Sequence, residues 1–183
     1  DSLYFSTLQA KVKAMIDSVT GTEEALIVPF EDLFKNCQID DLGNMTKHIY
    51  ASEFGERLNE SMRMLVITIL LSVQNIKMGK DNSFVNGRFA YISNSLAQNL
   101  SNFNNKWDYQ TVNGLITSMG TEIINEITAR MKKDINAENS AIQKLGYNFT
   151  TLEKYLVDGI VNQHPERFSK STIAPKYTND DIM

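Results

Sequence analysis

At 183 residues the chain has the length of one domain, enough to bury about 70% of the surface its unfolded form would expose without a metal or a disulfide to staple it. Hydrophobic residues make up 42% and charged residues 22%, an ordinary globular balance that excludes disorder through most of the length. Eighteen basic against twenty-two acidic side chains give a net charge of -4 and a pI near 5.2, which removes the basic footprint of a protein that neutralises many phosphates, so nucleic acid is not expected as a main partner.

Phe5, Leu8, Val12, Met15 and Val19 recur every three or four residues, the period of an amphipathic helix, and Gly21 suits a left-handed cap at its C-terminus. Thr22 to Ala25 opens a second piece, which Pro29 limits to about two turns by disfavouring helical geometry at Val28. Phe30 to Cys37 reads as another short helix burying Phe30, Leu33 and Phe34, before a polar break at Asp40, Asp41 and Gly43.

From Met45 a helical pattern runs through Ile49 and Phe54, with a break around Ser52 to Gly55, into the strongest segment of the chain. There Leu58, Met62, Leu65, Ile69, Val73 and Ile76 alternate spacings of three and four, and residues 64–71 add apolar side chains on the other sides. Such a helix is expected to be the central one, surrounded by protein on most of its circumference and ending at Met78 and Gly79. Lys80 to Gly87 is rich in turn residues and reads as a loop. Phe89, Ile92, Leu96, Leu100 and Phe103 then trace a helix with one buried face.

After Asn104 to Lys106, Asp108 stands as the N-cap of the most regular stripe: Val112, Ile116, Met119, Ile123, Ile127, Met131 and Ile135, widened by Leu115 and Ile124. The stripe continues weakly through Ile142 and Leu145 to Gly146, and a last helix starts at Thr150 or Thr151 with Leu152, Tyr155, Leu156 and Ile160. From Asn162 the chain turns polar. The sequence therefore predicts an all-α, single-domain helical bundle over 1–161, of about six to seven helices with two long core helices at about 45–78 and 109–136. An extended C-terminal arm, 162–183, follows, of the kind a partner can order.

Chemistry is scarce along these elements. His48 could face Ser52 at helical spacing, but no oxyanion-hole glycine signature accompanies the pair, and a surface histidine is the plainer reading. His164 precedes Pro165 in the arm. Glu122 and Glu126 lie four apart, yet no Glu-x-x-His occurs anywhere, and both flank the main stripe and so are expected to face water. Nucleotide-binding and hydrolase-elbow motifs are missing, so no catalytic residue, cofactor or metal ligand is expected.

The lone Cys37 cannot close an intramolecular disulfide, which favours a reducing compartment or an assembled particle over a disulfide-rich secreted setting. Four N-x-S/T sequons, at Asn44, Asn59, Asn99 and Asn148, read as chance matches in an asparagine-rich chain. Asp1 in place of Met suggests processing or trimming. The apolar run at 64–71 falls far short of the ~20 residues that cross a bilayer, so a soluble protein without a membrane span is expected. Arg130, Lys132 and Lys133 read as a solvated helix face. Met62, Met64, Met119 and Met131 sit at core spacing and read as gap fillers.

Candidate partner contacts are Trp107 and Tyr109, since aromatic residues are favoured at interface hot spots, and Phe168, Ile173 and Tyr177 along the arm. Trp107 also fits the role of a plug at the bundle end, and that reading is preferred. The functional expectation is a non-enzymatic structural, assembly or scaffold subunit acting through protein-protein contacts, self-association included; such rods and arms also suit a virus or phage particle component. Two alternatives stand beside it. One is a recognition module holding a partner's amphipathic helix in an apolar groove, with a Bcl-2-like outline, and the other is a small-molecule binder with a pocket in the bundle core.

Overall fold

The computed structural model describes residues 2–21, 46 and 49–168. The expected short helices at Thr22 to Ala25 and Phe30 to Cys37, the break at Asp40 to Gly43, the start at Met45, His48 and the arm residues Ile173 and Tyr177 lie outside the described residues. Within them the protein is an all-α bundle: α1 (Ser2–Asp17) with a 3-10 turn (Ser18–Thr20), α2 (Ser52–Lys77), α3 (Ser83–Phe103), α4 (Tyr109–Lys132), α5 (Ile135–Gln163) and the single turn α6 (Pro165–Phe168). No strand occurs among the described residues.

Helix α1 buries Leu8, Val12, Met15 and Ile16, and the turn adds Val19. Its end differs from the glycine cap expected: Gly21 has φ -92°, extended backbone, because the 3-10 turn has already closed the helix through the Gly21 N–H to the Ser18 carbonyl at 3.0 Å. Helix α2 starts cleanly at Ser52, with Glu53 in its first turn and Lys77 in its last, matching the helix dipole at both ends. Phe54, Leu58, Met62, Val66, Ile69 and Val73 form its buried stripe. Thr68 and Ser72 share that face by turning their hydroxyls back onto the carbonyls of Met64 and Thr68, at 2.8 and 2.9 Å.

The exit from α2 is a Schellman motif. Gly79 takes φ +65°, its N–H bonds the Ile76 carbonyl at 3.1 Å and the Lys80 N–H reaches back to Asn75 at 2.9 Å. Asp81 then accepts the Ser83 N–H at 3.2 Å, which starts α3 earlier than a turn-rich loop through Gly87 would allow. Asp108 caps α4 as expected, accepting the Thr111 N–H at 2.8 Å.

Helix α4 ends at Lys132, short of the predicted 136. Lys133 adopts φ +59° and repeats the Schellman pattern, its N–H on Arg130 at 3.0 Å and that of Asp134 on Ala129 at 2.9 Å. Asp134 immediately caps the next helix through the Ala137 N–H at 3.0 Å. Helix α5 then runs 29 residues without interruption, about 43 Å at the standard rise, so Gly146 is not a terminus and no separate helix begins at Thr150. Residues 162 and 163 belong to this helix and 165–168 to α6, which shortens the expected arm from its N-terminal side.

Connections of five, five and two residues join α2 to α5, and each helix packs against the next, an arrangement of antiparallel hairpins. Helix α1 packs on α2, α4 and α5. Helix α4 contacts all of the other long helices, α1, α2, α3 and α5, whereas α2 packs on α1, α3 and α4. The expected central role of α2 therefore passes to α4 among the described elements. Consistent with this, Met64, Leu65, Leu70 and Leu71 are only half-buried and Ile67 is 36% exposed. Met62 and Met119 are core residues as expected, while Met64 is half-buried and Met131 exposed.

Candidate functional site

One end of the bundle is closed by aromatic rings. Trp107, just before α4, is 2% exposed; its ring lies 6.2 Å from Phe54 and 5.6 Å from Tyr50, and Phe54 meets Phe103 edge-on at 4.9 Å. The indole N–H donates to the Leu156 carbonyl at 3.1 Å. The ring can enter because position 159 is glycine: a Cβ there would lie 2.1 Å from Trp107 Nε1. Polar bonds seal the rim, with the Tyr50 hydroxyl donating to Gln163 at 2.7 Å and accepting from Asn104 at 3.0 Å, and the Asp108 N–H donating to the Tyr155 hydroxyl at 2.8 Å. Burial pushes the Tyr50 phenol above its ordinary range, partly offset by the Asn104 bond. This end is a plug, built to exclude water.

The outer face of α2 and α3 has the opposite character. Phe84 and Tyr91 lie two turns apart on α3 and are 64% and 65% exposed. Between them the Arg88 guanidinium stands 5.8 Å from the Phe84 ring centroid and donates from Nε to Thr68 on α2 at 3.2 Å. Met64, Phe84, Arg88, Tyr91 and Ile92 border an apolar cleft of about 360 Å³. A second cleft of about 250 Å³ continues past Met64 and Tyr91 toward Arg57, Glu60, Gln98 and Asn102. Buried Asn99 lines it, and neither polar atom of its amide has a hydrogen-bond partner.

A third cluster joins α1, α4 and α5 around Arg130. Its guanidinium pairs with Asp17 and with Glu138, the Nε bond to Glu138 measuring 2.9 Å, so Arg130 is a tie between three helices and not part of a free basic face. Glu122 and Glu126 are buried, contrary to the expectation that they face water. The reason is the side of α4 they occupy: Glu122 faces Lys144 of α5, and Glu126 lies among Gln9 of α1 and Ile142 and Leu145 of α5, while the solvent side of α4 carries Gln110, Gly114, Thr117, Thr121 and Asn125. Glu122 accepts from Asn125 at 3.2 Å and lies 3.9 Å from the Lys144 ammonium. Burial raises the Glu126 carboxyl to about 7, against the lowering influence of Arg130 and Lys13.

The expected partner contacts are thus scattered. Trp107 is interior, Tyr109 is half-buried with its hydroxyl on Asn94, and Phe168 is exposed on α6. The sequence reads Phe84 as part of a loop and gives Tyr91 no role; with α3 starting at Ser83 both lie on the helix, two turns apart and off the Phe89 stripe. His164 lies 3.5 Å from Glu166 and its ring 6.0 Å from Tyr50, packed at the plug. Three sequon asparagines, Asn59, Asn99 and Asn148, are buried on helices, where no glycan fits. No group of three His, Cys, Asp or Glu able to hold a metal occurs among the described residues. Likewise, no helix among them is long and apolar enough to cross a membrane. Compared with known proteins, the chain matches no family model, no curated protein and no solved structure.

Proposed function

We propose that the protein is a non-enzymatic assembly or scaffold subunit that self-associates through the outer face of α2 and α3. The observation that carries this reading is the pair Phe84 and Tyr91, two large rings two-thirds exposed beside an apolar cleft. A stable interface buries about 800 Å² on each partner, and each aromatic side chain brings about 150 to 250 Å². The two rings serve as the anchors, Arg88, Met64 and Ile67 widen the patch, and the more polar cleft toward Glu60 and Gln98 forms its rim. A two-fold arrangement lets the same patch meet itself and closes the assembly. The non-enzymatic part of the reading rests on the sequence, which offers two histidines and none of the common catalytic motifs.

Light scattering on the full chain during size exclusion tests the proposal. The expected result is an oligomer at micromolar concentration, which Phe84→Ser with Tyr91→Ser converts to monomer while the helical circular dichroism stays unchanged. A wild-type chain that remains monomeric at all concentrations removes self-association. It leaves the second reading, favoured by the elongated double cleft, in which the same groove receives another protein's amphipathic helix.

A further inference from the structure

Away from the α2 and α3 face, a cavity of about 220 Å³ opens between α1, α4 and α5. Its walls are unlike each other. Ala10, Ile142 and Leu145 are apolar, Gln9 brings an amide, and α4 contributes Glu126. Glu126 is 2% exposed, its Oε1 is sealed from solvent without a hydrogen-bond partner, and no described residue forms an ion pair with the carboxyl. A buried acid normally has partners, because an ionised carboxylate taken out of water is strongly disfavoured unless a cation or donors meet it.

The charges that act on Glu126 come from each element packed around it: Lys13 and Asp17 on α1, Arg130 on α4 and Glu138 on α5. They are already matched among themselves. Lys13 holds Asp17 at 2.7 Å, and Arg130 spans Asp17 and Glu138. Two cations and two anions cancel, so the ionised form of Glu126 is one unit of negative charge without a counter-ion. Gly146 lets the Gln9 amide lie close against α5, since a Cβ there would come within 3.3 Å of Gln9 Nε2.

We propose that this cavity binds a small aliphatic ammonium ion, with Glu126 as its counter-ion. The ammonium group places its charge against the carboxylate and a hydrogen bond on the Gln9 carbonyl oxygen, and its methylene chain lies on Ile142 and Leu145. An anion is disfavoured because the one ammonium in the wall, Lys13, is already committed to Asp17. A divalent metal is disfavoured because a single carboxylate among apolar walls supplies too few ligands. Ammonium binding requires the ionised acid, so it releases a proton wherever Glu126 is protonated.

The test uses the full chain, n-butylammonium chloride as the probe, and n-butanol and n-butyrate as neutral and anionic controls of the same chain length. Isothermal titration calorimetry measures n-butylammonium binding to the wild type and to each variant, and carbon NMR of labelled Glu side chains follows the Glu126 carboxyl, identified by its loss in Glu126→Gln, wherever that residue is kept. Saturable binding of n-butylammonium alone is expected. Its affinity should rise about thirty-fold from pH 5.5 to pH 8, as linkage to a group titrating near 7 requires, and Glu126→Gln should abolish it. Gln9→Met, which keeps the charge, should weaken binding several-fold, and it carries the test should Glu126→Gln fail to fold. The proposal is overturned by the lack of a saturable Glu126 signal, by equal binding of butanol or butyrate, or by Glu126→Gln or Gln9→Met binding the ammonium as wild type does.

Discussion

Glu126 and Lys133 hold unusual states for opposite reasons, one imposed by what surrounds it and the other by its own backbone. The Glu126 carboxyl is raised from 4.5 to about 7 by burial, so between these values the native state binds more protons than the unfolded chain. Stability from this group is therefore full below about 4.5 and lost as pH rises through 7, a loss of about 3 kcal/mol. Urea unfolding from pH 5 to 8 should show that decline, and Glu126→Gln should flatten it and leave the variant the more stable of the two at pH 8. A wild-type profile without the decline contradicts the burial described. Lys133 sits at φ +59°, where a side chain costs about 1 to 2 kcal/mol. Lys133→Gly should accordingly raise the unfolding free energy by about 1 kcal/mol, read from the urea midpoint at constant slope. Neither residue announces itself in the sequence. A lysine gives no turn signal, and a glutamate beside an apolar stripe looks solvated until α1 and α5 are known to pack over that side of α4.

At the scale of the element, the stripes of α1 to α4 were legible because each alternates apolar and polar residues at helical spacing, and Asp108 declared its own cap. Helix ends were less so where geometry was fixed by contact. Gly146 resembles a terminus, yet α5 runs through it because Leu145, Phe149 and Leu152 on either side are buried along one face. Gly159 is inside the same helix for a different purpose, leaving space for the Trp107 indole. Gly159→Ala should then destabilise by about 3 kcal/mol through overpacking, the upper part of the range for such insertions, in contrast to the mild gain that alanine brings at an ordinary helical glycine. Thermal unfolding followed by circular dichroism decides this: a raised midpoint would contradict the close approach. The start of α3 was hidden by its composition, since Asp81 and Ser83 serve a turn and a cap equally well, and with it went the surface carrying Phe84 and Tyr91.

For the molecule as a whole, the helical bundle could be read from periodicity, while the order of packing could not. Apolar density around residues 64–71 marks α2 as a helix with several apolar sides, but density alone does not say which neighbour covers each side. The structure gives the central position to α4 and leaves the α2 side next to Ile67 and Met64 partly open, which is why an assembly surface is proposed there. The Arg130 cluster and the Trp107 plug mark opposite ends of α4, a helix of 24 residues that spans about 36 Å. Because Trp107 is the only tryptophan and its indole is sealed by Tyr50, Phe54 and the Leu156 carbonyl, its emission is an optical gauge of one pole alone. Backbone ellipticity averages over the full length. Superimposed melting curves from the two signals are the expected outcome for a bundle whose poles dissolve together, and a tryptophan transition that runs ahead would mean that the aromatic pole opens as a separate cooperative unit.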